Sequence, residues 1–278
     1  MTPPASDYAA EIDAWRRRRL ERLVAEDGWL SLTGLFWLEP GDNAVGGDPA
    51  NAVVLPAGGA AARVGILRLL GAAVLFEPAP DAVVEADGAP ISGSTPLRTD
   101  AAPAPTVLSV GTIRFHVLER GGRLAVRVRD RENPARGRLG PIETFPIDPA
   151  WRFDARFVPY DPPRTIPVTS ILGTSEPERS PGAVVFSVAG RELSLDPILE
   201  RGETDYWIIF GDRTNGAGTY GGGRFVYVPP PVAGRTILDF NKAYNPPCVF
   251  TPYSTCPLPP LQNRLPIGVE AGEKTYQA

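Results

Sequence analysis

Alternation of apolar and polar residues is the pattern that most constrains this chain. Two neighbouring segments, separated by Gly121-Gly122, show the period of two that is typical of half-buried strands. Their apolar positions are Ile113, Phe115, Val117, Leu124, Val126 and Val128. Beyond residue 28 the helical period nearly vanishes, so the sequence predicts a mainly β fold.

The first 28 residues are the exception, because their apolar positions follow the helical period of 3.6. Ser6 or Asp7 can cap this helix, and Gly28 can end it. The apolar face consists of Ile12, Trp15, Leu20, Leu23 and Val24. Four arginines at 16–19 point in four directions on a helix, so we expect them to be solvated.

Strand patterns return in the second half of the chain. Segments 183–188 and 191–195 flank Ala189-Gly190, which favours a tight hairpin. The apolar run 206–210 suits a strand buried on both faces. Segment 224–228 ends at three prolines, which cannot continue a central strand.

Proline density also suggests the domain organisation. The stretch from Asp148 to Pro163 is the expected junction, because prolines interrupt regular pairing. We therefore predict an N-terminal helix at 1–28, a β-sandwich at 29–150 and a C-terminal β lobe at 151–278. Residues 244–266 are rich in proline but also in aromatic and aliphatic residues, which predicts an ordered loop packed over the second lobe.

Charge and hydropathy argue against two classes of partner. The net charge of −4 at pH 7 is opposite to the basic surface of nucleic-acid-binding proteins. No apolar stretch approaches the ~20 residues that span a bilayer. Residues 1–19 lack the apolar core of a signal peptide. We expect a cytoplasmic protein with no nucleic-acid or membrane partner.

Four segments in the first half form a recognisable pattern. They are LEPG at 38–41, NAVGGDPANAVVLP at 43–56, the 83–91 hairpin with Asp87-Gly88, and VLSVGTIRFHV at 107–117. Together they resemble a forkhead-associated domain, a β-sandwich whose loops bind phosphothreonine. Gly47 replaces the arginine of that family, and its serine and histidine fall near Ala61 and Val64. The resemblance therefore implies a sandwich fold without phosphopeptide recognition, since no charge-assisted contact to phosphate remains.

Four further segments are distinctive. They are DGWLSLTGLFWLEPG at 27–41, TYGGGRFVYV at 219–228, LDFNKAYNPPCVFTPYSTCPLPPLQNRLP at 238–266 and EAGEK at 270–274. They resemble the uncharacterised bacterial family called domain of unknown function 1684. This resemblance covers nearly the whole chain and implies no particular reaction.

The densest group of polar residues lies at predicted strand ends and loops of the second lobe, where binding residues are often found. The candidate ligand-binding residues are Asp212, Thr219, Tyr220, Arg224, Asp239, Asn241, Tyr244, Asn245, Cys248, Asn263, Glu270 and Lys274.

Three interpretations of this group stay open. It can be a hydrogen-bond network that fastens the proline-rich loop to the sheet. The glycine-rich turn 216–223 with Arg224 can instead bind a carboxylate or phosphate. The third interpretation is a Mg²⁺ or Ca²⁺ site, or an acid–base pair, built from carboxylates and one amide. Its residues are Asp212, Asp239, Glu270, Glu273 and Asn241.

Cys248 and Cys256 are the only cysteines and His116 the only histidine, too few for a four-ligand structural zinc site. His116 is out of phase with the apolar face of its strand, which predicts a polar-face position. A disulfide is disfavoured in a reducing cytosol, so we expect buried neutral thiols. Cys248 becomes a candidate nucleophile if Lys274 or Arg224 lies near it and lowers its pKa.

The favoured hypothesis is that the C-terminal lobe binds a small anionic ligand, with cofactor and catalytic residues unidentified. One alternative is a hydrolase or lyase that uses clustered carboxylates with or without a divalent metal. The other is a protein-interaction module.

Overall fold

The computed structural model describes residues 5–200 and 202–277, with side chains from residue 7 onward. Helix α1 is Ala5–Val24. Ser6 and Asp7 therefore lie in its first turn rather than before it, and the predicted end at Gly28 is four residues too late. A separate turn follows the helix, in which Gly28 N–H donates to the Ala25 carbonyl oxygen at 2.9 Å.

Strands form most of the regular structure, as the alternating pattern predicts. Their bounds are β1 Leu32–Trp37, β2 Gly41–Gly46, β3 Val53–Val54, β4 Gly65–Leu70, β5 Ala73–Pro78, β6 Val84–Ala86, β7 Ala89–Ile91, β8 Thr95–Leu97, β9 Leu108–Val110, β10 Ile113–Arg120, β11 Arg123–Asp130, β12 Arg152–Thr169, β13 Ser175–Val188, β14 Arg191–Leu195, β15 Tyr206–Phe210, β16 Arg224–Val228 and β17 Arg235–Asp239. Short 3₁₀ helices are Trp29–Ser31, Pro134–Gly137, Pro149–Trp151, Phe240–Lys242, Pro247–Val249 and Leu261–Asn263. No helix among the described residues has the length and apolar character needed to cross a membrane.

Contacts group the residues into two compact units. The first, Arg22–Leu139, contains a six-stranded sheet of order β1-β11-β10-β9-β6-β7 and a five-stranded sheet of order β3-β2-β4-β5-β8. Alternate side chains fill its apolar core, where the Phe76 and Phe115 rings meet edge to face with centroids 6.0 Å apart. The predicted β10–β11 hairpin is confirmed, and both Gly121 and Gly122 have positive φ.

The second unit consists of residues up to Glu21 and residues from Gly140. It contains a four-stranded sheet of order β14-β13-β12-β17 and the pair β15-β16. The predicted Ala189-Gly190 hairpin is confirmed, with φ of 49° and 77° at these two residues. Proline density does not end β12, but its pairing with β13 lapses between Pro159 and Arg164.

After β17 the chain continues as a mostly irregular segment, residues 240–277, which we call the tail. Its Leu265, Val269 and Ala271 are buried in one core cluster with strand residues such as Val226 and Leu238. The proline-rich loop is therefore ordered and packed on the second β lobe, as predicted. This packing brings the tail to the end of β15, where the candidate site lies.

Candidate functional site

The candidate site lies where the tail runs beside the segment after β15. Gly211 N–H donates to the Asn263 carbonyl oxygen at 3.0 Å, and Leu265 N–H donates to the Gly211 carbonyl oxygen at 2.8 Å. Side chains alternate along paired extended backbone. Leu265 therefore points inward, while the next residue back, Arg264, is exposed.

The same alternation separates Asp212 from Arg213. The Asp212 side chain is fully buried, whereas Arg213 is exposed. Within the described residues, neither the Arg213 nor the Arg264 guanidinium has a hydrogen bond, ion pair or ring contact. Two uncompensated positive charges thus stand at this edge of the second unit.

Both arginines line a cavity of about 320 Å³. The other lining residues are Gly211, Asp212, Asn215, Gly221, Gly222, Gly223, Pro259 and Leu265. Small-molecule sites in proteins begin at about this volume. We call this space the arginine cavity.

Three consecutive glycines form one wall of the arginine cavity. Gly223 has φ of +88°, and a Cβ there would lie 2.3 Å from Pro259 Cγ, so only glycine fits. In the part of the chain that the structure describes, the backbone N–H groups of Gly221 and Gly222 have no acceptor. Unpaired backbone N–H groups in a glycine turn are donors suited to an anion.

Arg224 is fully buried at the start of β16 and is engaged within the protein. Its Nη2 donates to Asp212 Oδ2 at 2.9 Å and to the Val269 carbonyl oxygen at 2.7 Å. Its Nη1 donates to the carbonyl oxygens of Ala271 and Glu273. In place of the anion contact expected from the sequence, this guanidinium fastens the tail to the sheet. Burial lowers the pKa of Arg224, and the Asp212 carboxylate opposes that shift.

The charge of Asp212 is compensated as fully as that of Arg224. Its Oδ1 accepts hydrogen bonds from Thr214 N–H at 2.8 Å, from the Thr214 hydroxyl and from Val269 N–H at 3.2 Å. Arg224 pairs with the other oxygen of this carboxylate. Its negative charge is therefore largely neutralised and repels an anion in the cavity only weakly.

Thr219 and Asn215 hold the loop before the glycines in shape. The buried Thr219 hydroxyl lies 2.8 Å from Thr214 Oγ1 and accepts from Asn215 Nδ2 at 2.9 Å. Asn215 Oδ1 also accepts from Asp212 N–H at 2.6 Å. These polar side chains therefore support the wall of the cavity from within.

Asp239 and Asn241, predicted to belong to the same site, contact the N-terminal helix instead. The Tyr8 hydroxyl donates to Asp239 at 3.0 Å, and Asn241 Nδ2 donates to the Tyr8 oxygen at 2.9 Å. Asn241 also exchanges two hydrogen bonds with the Asp148 backbone. Burial and the Asp239 carboxylate raise the pKa of Tyr8.

Asn245 and Glu273 form a third buried group with the same helix. Asn245 N–H donates to Glu273 Oε2 at 2.7 Å, and Arg19 Nε lies 3.2 Å from Glu273 Oε1. Asn245 Nδ2 donates to the Lys274 carbonyl oxygen at 2.8 Å. Burial raises the pKa of Glu273, although the Arg19 charge opposes this.

The remaining predicted residues are dispersed. Tyr244 stacks on Tyr227 with ring centroids 6.1 Å apart, and Asn263 Nδ2 donates to the Asp196 carbonyl oxygen at 2.9 Å. Lys274 Nζ lies 5.2 Å from the centroid of the Phe145 ring. Glu270 is exposed.

The predicted carboxylate cluster does not assemble. Asp212 pairs with Arg224, Asp239 accepts from Tyr8, and Glu273 pairs with Arg19. Across residues 5–200 and 202–277, no three His, Cys, Asp or Glu side chains are placed to share a metal ion.

Cys248 has neighbours other than those expected. Tyr220 and Cys256 contact it, with the Tyr220 oxygen 3.5 Å from Cys248 Sγ. The alternatives expected from the sequence, Arg224 and Lys274, contact Asp212 and the Phe145 ring instead.

Gly47, Ala61 and Val64, which stand at the phosphate-binding positions of the forkhead-associated resemblance, lie together in the first unit. Gly47 N–H donates to the Ala61 carbonyl oxygen at 2.8 Å. Ala61 and Val64 line a cavity of about 380 Å³ whose charged lining residue is Asp81. An acidic residue there opposes the binding of a phosphate dianion.

Sequence reasoning missed Arg213 and Arg264, which stand next to Asp212 and Asn263 in the chain. Segment 211–213 continues from the predicted strand 206–210, so alternation could have placed Arg213 opposite to Asp212. No local pattern indicates that residues 263–265 pair with this segment.

A family model described as "Protein of unknown function (DUF1684)" matches residues 137–274, about half of the chain. Three of the four segments that suggested this family, 219–228, 238–266 and 270–274, lie inside the match. Segment 27–41 lies outside it. Among curated proteins, none matches this chain.

Three solved structures are similar to the chain. An uncharacterized protein of Haloarcula marismortui, solved by solution NMR, is 27% identical with a TM-score of 0.42, over 50% of this chain and 79% of its own. The FhaA FHA domain, crystallised with the intracellular domain of Rv3910, is 19% identical with a TM-score of 0.24, over 34% and 86%. An FHA domain studied for its phosphothreonine-dependent interactions is 17% identical with a TM-score of 0.24, over 39% and 96%.

Proposed function

For a chain whose residues 137–274 match the DUF1684 family, we propose that the second unit binds a small anionic ligand in the arginine cavity. The observation that supports this most is that Arg213 and Arg264 both line this cavity, and that both are exposed and have no side-chain partner among the described residues. The unpaired N–H groups of Gly221 and Gly222 add two donors. A carboxylate or phosphate group matches this set of donors.

The proposal keeps the ligand class expected from the sequence but changes the residues that bind it. Arg224 and Asp212 neutralise each other and shape the wall. The positive charge that the cavity presents to the ligand therefore comes from Arg213 and Arg264. Phosphopeptide recognition by the first unit is not part of the proposal, since Gly47, Ala61 and Val64 offer no cationic side chain. A cytoplasmic location is part of it, and fractionation of the producing cells checks this.

The test is a calorimetric titration of the full chain with inorganic phosphate, acetate, succinate and citrate. A ligand at about 100 times its Kd adds ~2.7 kcal/mol of stability, so thermal unfolding gives a rapid first screen. We expect at least one of these anions to bind, with an affinity that falls as salt rises.

Arg213→Gln and Arg264→Gln should each weaken that binding about 10- to 100-fold, since one charge-assisted hydrogen bond is worth roughly 1.5–3 kcal/mol. Arg191→Gln is the matched control, because Arg191 is an exposed arginine on β14 in the same unit. Equal affinities for the wild type and the double variant would contradict the proposal. No binding of any anion would favour the protein-interaction alternative.

A further inference from the structure

The two cysteines lie side by side although seven residues separate them in the chain. Cys248 is in the 3₁₀ helix Pro247–Val249, and its backbone N–H donates to Cys256 Sγ at 3.2 Å. The Cys256 sulfur therefore lies against the backbone of Cys248. Both are free thiols in the structure.

Their environments differ in a way that assigns different roles. Cys248 is partly exposed, whereas Cys256 is 4% exposed and lies 3.5 Å from Ser254 Oγ. The Cys256 and Tyr220 contacts lower the pKa of Cys248 to about 7, and the Cys248 contact with burial raises the pKa of Cys256. The less buried cysteine is therefore also the one that deprotonates first.

We propose that Cys248 and Cys256 are a redox-active dithiol, in which the partly exposed Cys248 reacts with small-molecule disulfides and the adjacent, buried Cys256 completes an internal disulfide. Two observations support it independently of the anion proposal: the 3.2 Å contact between the Cys248 backbone N–H and Cys256 Sγ, and the unequal exposure of the two cysteines. Neither cysteine lines the arginine cavity.

The chemistry is thiol–disulfide exchange in two steps. The Cys248 thiolate attacks one sulfur of a disulfide RSSR, which forms a Cys248–S–S–R bond and releases RS⁻. Cys256 then loses its proton to solvent and attacks the Cys248 sulfur, which releases a second RS⁻. The protein loses two electrons and two protons, and the disulfide is reduced to two RSH.

The first experiment uses the wild-type full chain. Reduced protein is treated with oxidised glutathione, quenched with acid, alkylated with N-ethylmaleimide and digested without reductant. We expect a peptide pair linked through Cys248 and Cys256, with no glutathione retained. Recovery of both cysteines alkylated after prolonged oxidation, or stable glutathionylation of the wild type, would overturn the proposal.

The second experiment separates the two roles. Cys256→Ser should retain glutathione on Cys248, because no second thiol resolves the mixed disulfide. The Cys248→Ser variant should react with oxidised glutathione at least about tenfold more slowly than Cys256→Ser, because its remaining thiol, Cys256, is buried. Equal rates in the two variants would overturn the assignment. Thermal unfolding checks that each variant is folded, and Cys256→Ala replaces Cys256→Ser if the serine is not tolerated.

Tyr220 acts as a positioning residue, and a pH profile tests it. Tyr220 and Cys256 are the titratable groups that contact Cys248 among the described residues. The alkylation rate of Cys248 should rise through a midpoint near its pKa of about 7. Tyr220→Phe removes a hydrogen bond to the thiolate, so the midpoint should move to higher pH. An unchanged midpoint would overturn this role of Tyr220.

Discussion

The two units bury very different kinds of side chain. The buried polar or charged side chains of the unit Arg22–Leu139 are Ser31, Asn43, Thr106 and Arg127. Those of the other unit are Ser180, Asp196, Thr219, Arg224, Thr236, Asp239, Asn241, Asn245, Thr251, Ser254, Asn263 and Glu273. The difference follows from how each unit satisfies its backbone.

In the first unit, two sheets pair most of the strand backbone through ladders, so the interior can be almost entirely apolar. In the second unit, the tail has no strands and needs side chains as hydrogen-bond partners. Asn263 shows this clearly, because its amide bonds to the backbone of Asp196 at two points and to the Ile209 carbonyl oxygen. In the second unit, buried polar side chains thus supply backbone hydrogen-bond partners that neighbouring strands supply in the first unit.

The largest expected effect is at Arg224. Arg224→Met keeps much of the volume but leaves Asp212 buried without its cation and three carbonyl oxygens without a donor. Breaking a buried pair in this way costs about 3–5 kcal/mol. Urea unfolding followed by fluorescence should show the loss.

Two controls make that prediction specific. Arg191→Met removes an exposed arginine of the same unit and should change stability by no more than about 0.5 kcal/mol. Asp212→Asn combined with Arg224→Met removes the uncompensated charge and should recover part of the loss. A loss below about 1 kcal/mol in Arg224→Met would contradict a special role for buried polar groups in the second unit, because a typical single substitution costs that much.

Regular strands could be predicted from the sequence because their evidence is local. The hairpins at Gly121-Gly122 and Ala189-Gly190 needed only alternation and turn residues. The order of the proline-rich loop followed from its apolar content. The predicted ends of α1 were wrong, because the helix includes Ser6 and Asp7 and ends at Val24, before Gly28. No side-chain pattern in the sequence marks these ends.

The candidate site was harder to predict because its partners are remote in sequence. Tyr8 and Arg19 contact Asp239 and Glu273 across 231 and 254 positions. Polar residues that are close along the chain therefore belong to separate networks. Arg264 lines the same cavity as Arg213 only because the tail pairs with the end of β15.

A pH titration of stability tests the unit Arg22–Leu139, whose single histidine is His116. His116 lies in β10 opposite Arg127, where burial and then the Arg127 and Arg129 charges lower its pKa to about 4. The unfolded chain has a His pKa near 6.5. As pH falls below that value, the unfolded state binds a proton that the folded state does not, so stability is present at neutral pH and is lost with acidification.

Between pH 7 and pH 5, His116 should account for about 1–2 kcal/mol of lost stability, after allowance for its partial exposure. Hydrogen exchange of the β10 and β11 amides reports this unit separately. His116→Gln keeps polarity without the titration and should remove that part of the pH dependence. An identical profile in the variant would show that other groups set the acid response.

The smallest effect is expected at an ion pair that resembles Arg224–Asp212 in chemistry but not in burial. Arg68 Nε lies 2.6 Å from Asp42 Oδ1 across β4 and β2, and the two side chains are 40% and 54% exposed. The Arg68 hydrogen bond lowers the pKa of Asp42, but solvent screens this contact and the side chains lose entropy to make it.

Arg68→Met should therefore leave the urea midpoint within experimental error, at low and at high salt. If its midpoint fell as far as that of Arg224→Met, charge pairing alone would explain both losses and the burial of polar groups beneath the tail would not. An unchanged midpoint beside a large loss at Arg224 attributes the difference to desolvation, which is the property that separates the two units.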